Sequence, residues 1–264
     1  MNRKIWGILT LEFVVFVLLI PLLTGCGNPI IYDSGKTDLL GVWGSSSTDV
    51  FVVGESGTIL HYDGKIWEEM LSGTDELLCD IWGTSSSDVF AVSKSGAILH
   101  YDGSTWGTMT TKPSSLRAIW GTSSSDIFAV GGRHFLIWNH FEIWHYDGSV
   151  WSLMYTHPAF IGGVWGSSSS DVYATAYDCL LHYDGNEWRE VEHSSVEAPF
   201  GGVWGTSSSD VFATKRGSGD EGGTIWHYDG SEWQSPYTPQ LPGVELRGIW
   251  GSSSSDVYAV GGGG

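Results

Sequence analysis

The chain has 264 residues, with 12 Lys and Arg against 30 Asp and Glu, for a formal net charge of -18. That balance excludes a nucleic-acid binder, because neutralising phosphates takes Lys and Arg, and 15 Trp are far too many for a disordered chain. With 37 Gly, the composition points to short strands and turns rather than helices, in one large or two small domains.

Residues 1–25 read as a secretory signal. Arg3 and Lys4 give a positive start, and an apolar run follows from Phe13 to Leu23. Glu12 interrupts it, and it falls well short of the about 20 residues a membrane span needs. The four residues Leu23-Thr24-Gly25-Cys26 resemble the lipobox of bacterial lipoproteins. The resemblance implies cleavage before Cys26, diacylation of its thiol and acylation of the new amino terminus. Several acyl chains on one residue anchor stably. Residues 26–38 are then the lipidated Cys and a short tether, and the remainder is held on an envelope membrane, outer membrane or cell surface, outside the cytoplasm. Losing the signal makes the charge one unit more negative, which disfavours anionic surfaces as partners. Cys79 and Cys179 lie in different repeats and different columns of the repeat. Neither has a His or second Cys at ligand spacing, so both read as unpaired small core residues and no metal or other cofactor is expected.

From about residue 39 the chain repeats itself. Trp43, Trp82, Trp120, Trp165, Trp204 and Trp250 each sit in a Gly-x-Trp-Gly-like element followed by a Ser/Thr-rich stretch. Asp49, Asp88, Asp126, Asp171, Asp210 and Asp256 close that stretch and open an apolar run such as Val50-Phe51-Val52-Val53. His-Tyr-Asp-Gly then begins at His61, His100, His145, His182 and His227, and a second Trp follows at 67, 106, 151, 188 and 233. Each unit predicts four short strands. In the second unit these are Cys79–Trp82, Val89–Val92, Ala97–Tyr101 and a strand around Trp106. Asp102-Gly103 predicts a two-residue type I′ hairpin, in which both residues need positive φ. The Asp ending Gly-Ser-Ser-Ser-Asp is expected to accept backbone N–H bonds and start the next strand. The repeated His residues are expected to pack on the column Trp or bond a neighbouring strand rather than ring a metal, and the repeated Asp residues to serve turns rather than acid/base chemistry.

A four-stranded unit of about 40 residues with a Trp near each end resembles a β-propeller blade. Val130-Gly131-Gly132 followed by Tyr-Asp and Trp is similar to kelch-like repeats, although Gly-Gly is absent from most units and the Tyr-to-Trp turn is shorter. A looser similarity is to Asp-box propellers, from which the Asp-to-Trp offset and the missing leading Ser depart. The expected fold is therefore an all-β propeller over residues 39–264, with five complete units and a partial sixth. The expectation is a C-terminal truncation, with six or more blades in the full protein. The rival is closure by Ile30-Ile31-Tyr32-Asp33, which imitates a third strand but has no Trp between residues 34 and 40 to supply the fourth.

In such a blade the first and third turns share one end and barely vary. The second-to-third loops and the interblade links share the other, and differ in every unit. The third unit inserts about seven residues around Gly131–His134 and Asn139–Glu142, and the fifth about five around Lys215–Glu221. Individual loops on a rigid scaffold suit binding, so the candidate ligand-binding residues are Arg133, His134, Trp138, His140, Glu142, Arg216, Asp220 and Glu221. No nucleophile elbow, phosphate loop or HExxH motif is present. The functional expectation is a non-enzymatic, membrane-tethered binding or scaffold domain that recognises a protein or a glycan. The alternative is a glycoside hydrolase or polysaccharide lyase, which would need two carboxylates roughly 5 to 9.5 Å apart across a cleft.

Overall fold

The computed structural model describes residues 38–134, 139–193, 199–217, 222–237 and 244–262. The signal, Cys26, the tether to residue 37, Trp138, Asp220 and Glu221 lie outside the described residues. Among the described residues no helix is long and apolar enough to cross a membrane.

Strands follow one another as antiparallel meanders, each sheet in sequence order. The first sheet holds β1 (Leu39–Ser46), β2 (Asp49–Gly54), β3 (Ile59–Tyr62) and β4 (Trp67–Met70). The second holds β5 (Leu78–Ser85), β6 (Asp88–Ser93), β7 (Ile98–Tyr101) and β8 (Trp106–Thr110). The third holds β9 (Leu116–Ser123), β10 (Asp126–His134), β11 (Asn139–Tyr146) and β12 (Trp151–His157). The fourth holds β13 (Ile161–Ser168), β14 (Asp171–Ala176), β15 (Cys179–Tyr183) and β16 (Trp188–His193). The fifth holds β17 (Phe200–Ser207), β18 (Asp210–Lys215), β19 (Thr224–Tyr228) and β20 (Trp233–Tyr237). A two-stranded sheet of β21 (Glu245–Ser253) and β22 (Asp256–Gly262) ends the array. The chain divides into two compact units at Ile119 and Trp120.

In each unit the apolar second and third strands pack against the first strand of the next sheet. Phe51, Val53 and Ile59 of the first sheet are buried with Leu78, Ile81 and Val89 of the second. In the other unit Phe212 and Ile225 meet Leu246, Val257 and Ala259. Fully burying one such side chain stabilises by about 1.5–3 kcal/mol, so the core lies between sheets rather than within one. The first Trp column supplies a second contact. A Cβ on Gly83 would stand 2.9 Å from the Trp43 ring, and one on Gly205 2.7 Å from Trp165. Gly166 and Gly251 stand in the same relation to Trp120 and Trp204. Gly83, Gly166, Gly205 and Gly251, each following a column Trp, thus seat the ring of the preceding sheet.

The turns differ from expectation in one respect. Gly64, Gly103, Gly148, Gly185 and Gly230 have φ between +89° and +91°, but no Asp before them has positive φ. The connection spans four residues, not two. Asp63 Oδ1 accepts the N–H of Lys65 (2.8 Å) and Ile66 (2.9 Å), and Asp63 N–H donates to Ile66 O. That local carboxylate cap outweighs the type I′ preference. A two-residue hairpin instead joins Ser46 to its partner Asp49.

Asp49 does start β2, but it does not cap backbone. Its carboxylate accepts the Ser45 hydroxyl and bonds His61 Nε2 at 2.7 Å. The His61 ring stacks on Phe51, centroids 4.1 Å apart, in place of the expected column Trp. The same Asp–His bond recurs at 2.7 Å for Asp88–His100, Asp126–His145, Asp171–His182 and Asp210–His227. These ten residues are occupied by architecture, as expected for the repeat.

Candidate functional site

The meander puts the uniform first and third turns at one end of each sheet and the variable second turn at the other. At that variable end, the third and fourth sheets build a continuous patch. The insertion of the third unit is not a loop: it lengthens β10 and β11 into a hairpin. Register sets Gly131 opposite Glu142, Gly132 opposite Phe141, Arg133 opposite His140 and His134 opposite Asn139. Gly132 (φ +132°) makes this possible, since a Cβ there would lie 2.5 Å from Phe141 Cα. Phe141 is fully buried and meets Phe160 edge-on at 5.5 Å.

Phe160 belongs to the link between the two sheets and ties them together. Its carbonyl accepts the Tyr177 N–H at 2.7 Å, from the β14–β15 connection of the fourth sheet. The hairpin, the link and the Tyr177 turn are thus one connected surface. On it, His140 is exposed and Tyr177 is 49% exposed. Glu142 is half-buried and its Oε2 accepts the Trp144 indole N–H at 2.8 Å. The structure therefore brings Arg133, His134, His140 and Glu142 together on one hairpin, with the first two placed by backbone register alone.

Arg216 does not join them. It lies in the fifth sheet, where its N–H donates to Pro199 O at 2.8 Å. Its neighbour Lys215, expected in a loop, ends strand β18 instead. It is 6% exposed, with Nζ 5.8 Å from the ring centroids of Phe200 and Trp226. The two rings solvate the ammonium by cation–π attraction, which anchors the base of the fifth variable loop.

Sequence reasoning passed over Tyr177, Phe160 and His157. Tyr177 and Phe160 carried a signal, as aromatics in variable segments. His157, at the end of β12, is buried and lies 3.7 Å from Cys179 Sγ and 3.3 Å from Glu190 Oε1 through Nε2. These are three metal-ligating side chains with donor atoms within 4.8 Å of one another. The sequence offers no ligand spacing around either thiol, yet the fold brings His157 to Cys179, because β12 and β15 of neighbouring sheets converge there. Both cysteines are unpaired as expected. Burial, followed by the Asp178 and Glu190 charges, pushes the Cys179 thiol far above its ordinary pKa.

No protein-family model and no curated protein matches the chain. Solved structures do. One of YCF48 bound to a D1 peptide shares 14% identity over 89% of this chain and 78% of that one, with a TM-score of 0.67. YCF48 from Cyanidioschyzon merolae gives 15%, 86%, 78% and 0.63, and the WD40 repeats of RRP9 give 13%, 84%, 72% and 0.65. The fold is a β-propeller. At such identities the likeness concerns fold alone, and these neighbours belong to the WD40 and YCF48 types rather than the kelch type anticipated from motif detail.

Proposed function

We propose that this propeller is a non-enzymatic binding domain that captures a protein partner on the patch formed by the β10–β11 hairpin, the His157–Phe160 link and the Tyr177 turn. The observation that carries the reading is the contrast between ends. Five sheets repeat one set of Ser/Thr–Asp–His and Asp-cap bonds at one end. At the other, the third and fourth sheets present an exposed Tyr, an exposed His and an extended hairpin. Tyr is favoured at interfaces because it contributes large area at small conformational cost. That a YCF48 propeller holds a peptide is compatible with a protein ligand; a glycan would use the same aromatic surface. We further propose that Cys26 carries the lipid that displays the domain on a bacterial envelope.

Two experiments test this. Pull-down with wild type is compared with a variant whose residues 133–140 are replaced by a short turn, and with a control altered at the uniform end (Lys65→Ala). Loss of a bound protein in the hairpin variant alone supports the assignment; equal retention by both overturns it, and capture of oligosaccharide only transfers the reading to a glycan. Metabolic labelling with a palmitate analogue should mark the full chain and not Cys26→Ser, and label in both refutes the anchor.

A further inference from the structure

The geometry points to a zinc-class divalent metal site on Cys179 Sγ, His157 Nε2 and Glu190 Oε1, at the variable end between the third and fourth sheets. With metal–sulfur distances of about 2.3 Å and metal–nitrogen or –oxygen distances of about 2.0–2.1 Å, tetrahedral edges come to about 3.5 Å for S···N and about 3.4 Å for N···O. The corresponding separations here are 3.7 Å and 3.3 Å. Two of the three donor separations thus match what such an ion requires, and all three donors lie within 4.8 Å of one another.

Two further features favour a ligand over simple packing. His157 Nδ1 lies 3.1 Å from both the N and the O of Ala159. With Nδ1 accepting from Ala159 N–H, the Nε2 proton bonds Glu190. With Nδ1–H donating to the Ala159 carbonyl, Nε2 is left with a lone pair for a metal. A backbone carbonyl behind the ligating ring is the usual outer partner of a metal-bound His. The repeat also places no demand on the Cys or the His. At the Cys179 position the other sheets carry Thr58, Ala97, Glu142 and Thr224, and at the His157 position two of them carry Gly73 and Lys112. Cys, His and Glu coincide only where the third sheet meets the fourth.

Binding would displace the thiol proton to solvent and move the imidazole proton from Nε2 to Nδ1, releasing one proton per ion. Because protons compete with the metal for the thiolate, the site is weaker in acid. Three protein ligands leave a fourth position for water, on the side where Glu190 is 38% exposed.

The test is a titration of the chelator-stripped, reduced full chain with Co²⁺, then Zn²⁺. The expected result is a thiolate-to-cobalt charge-transfer band that saturates at one equivalent and is abolished by Zn²⁺. Cys179→Ser should remove the band, and Cys79→Ser should leave it intact. Because Cys179 is buried and its variant can fail to fold, Glu190→Gln, at a part-exposed position, provides the second arm: affinity should fall at least tenfold with the circular dichroism unchanged. Absence of the band in the folded wild type, its survival in Cys179→Ser, or unchanged affinity in Glu190→Gln overturns the site.

Discussion

Gly205→Ala isolates the contact that joins one sheet to the next. The added methyl would sit 2.6 Å from the carbonyl oxygen of Asp210 and 2.7 and 2.9 Å from the Trp165 ring. All three distances are below what a real Cβ tolerates, and two directions of escape are closed, one by the paired strand and one by the preceding sheet. Overpacking of this kind costs typically 1–3 kcal/mol, and with a backbone atom on one side we expect the upper part, about 2–3 kcal/mol. At roughly 2–4 °C per kcal/mol for a chain of this size, the melting midpoint should fall by about 4–12 °C, and the urea midpoint should fall with its slope unchanged. Gly107→Ala is the control: a Cβ there meets nothing within 4 Å, so the change should stay within about 0.5 kcal/mol. In a Trp165→Val background only the Asp210 contact remains, so the penalty of Gly205→Ala should shrink measurably, by about 0.5 kcal/mol or more. A Gly205→Ala midpoint within error of wild type, or a penalty of equal size in both backgrounds, refutes the seating of Trp165 on Gly205.

Three other outcomes follow from bonds already described. His182→Ala removes the Asp171 bond and the stack on Tyr173 (4.3 Å) and should cost about 1–3 kcal/mol in urea unfolding, more than Ser167→Ala. Asp80 sits where the first strand of other sheets carries small residues such as Gly41 and Ala118. Burial raises its pKa from 3.8 to about 7, against the N–H bonds from Ile119 and Ile81 that lower it. Its ionisation therefore opposes folding: stability from this group is highest below pH 4 and declines as pH rises to about 7, by at most about 4 kcal/mol. Asp80→Asn should flatten that part of a pH–stability curve. The turn carboxylates have the opposite sign. Side-chain and backbone donors hold Asp102 and Asp229 down to about 2, so the stability they contribute is full above pH 4 and is lost as pH falls through 2. Acid unfolding of Asp102→Asn should show a shallower dependence in that range.

Sequence alone revealed what recurs. Both Trp columns, the Asp opening each second strand and the blade boundaries appear five or six times, and their positions match the strands to within a few residues. It did not reveal what register assembles. The Asp–His bond is 2.7 Å in each of the five four-stranded sheets, although the two residues are 12 apart in the first sheet, 19 in the third and 11 in the fourth. The insertions fall between them and lengthen the hairpin without disturbing the pair. That is why the sequence left the His partner open between the column Trp and a neighbouring strand, and the bond to Asp on the neighbouring strand is the one formed. The Asp-Gly turns were misread for a different reason, since Asp63 bonds two N–H groups ahead of it and thereby draws two more residues into the connection. His157 and Cys179 are 22 positions apart on different sheets, a separation for which no spacing rule exists. The membrane-anchor motif, Trp138, Asp220 and Glu221 rest on sequence alone.

The seating of Trp43, Trp120, Trp165 and Trp204 on a Gly of the next sheet also has a bearing on ancestry. A unit that carries both an outgoing ring and an incoming notch fits any copy of itself, so gene duplication lengthens such an array without requiring a compensating mutation. Mutational drift is then filtered unequally. Substitutions at the ring or the notch disturb two neighbouring sheets at once, whereas the β2–β3 end of a unit can lengthen, acquire an aromatic or gain a Cys–His–Glu group while the joints stay interchangeable. Copies born identical are thereby free to become different at one end only, which is where this chain keeps its individuality.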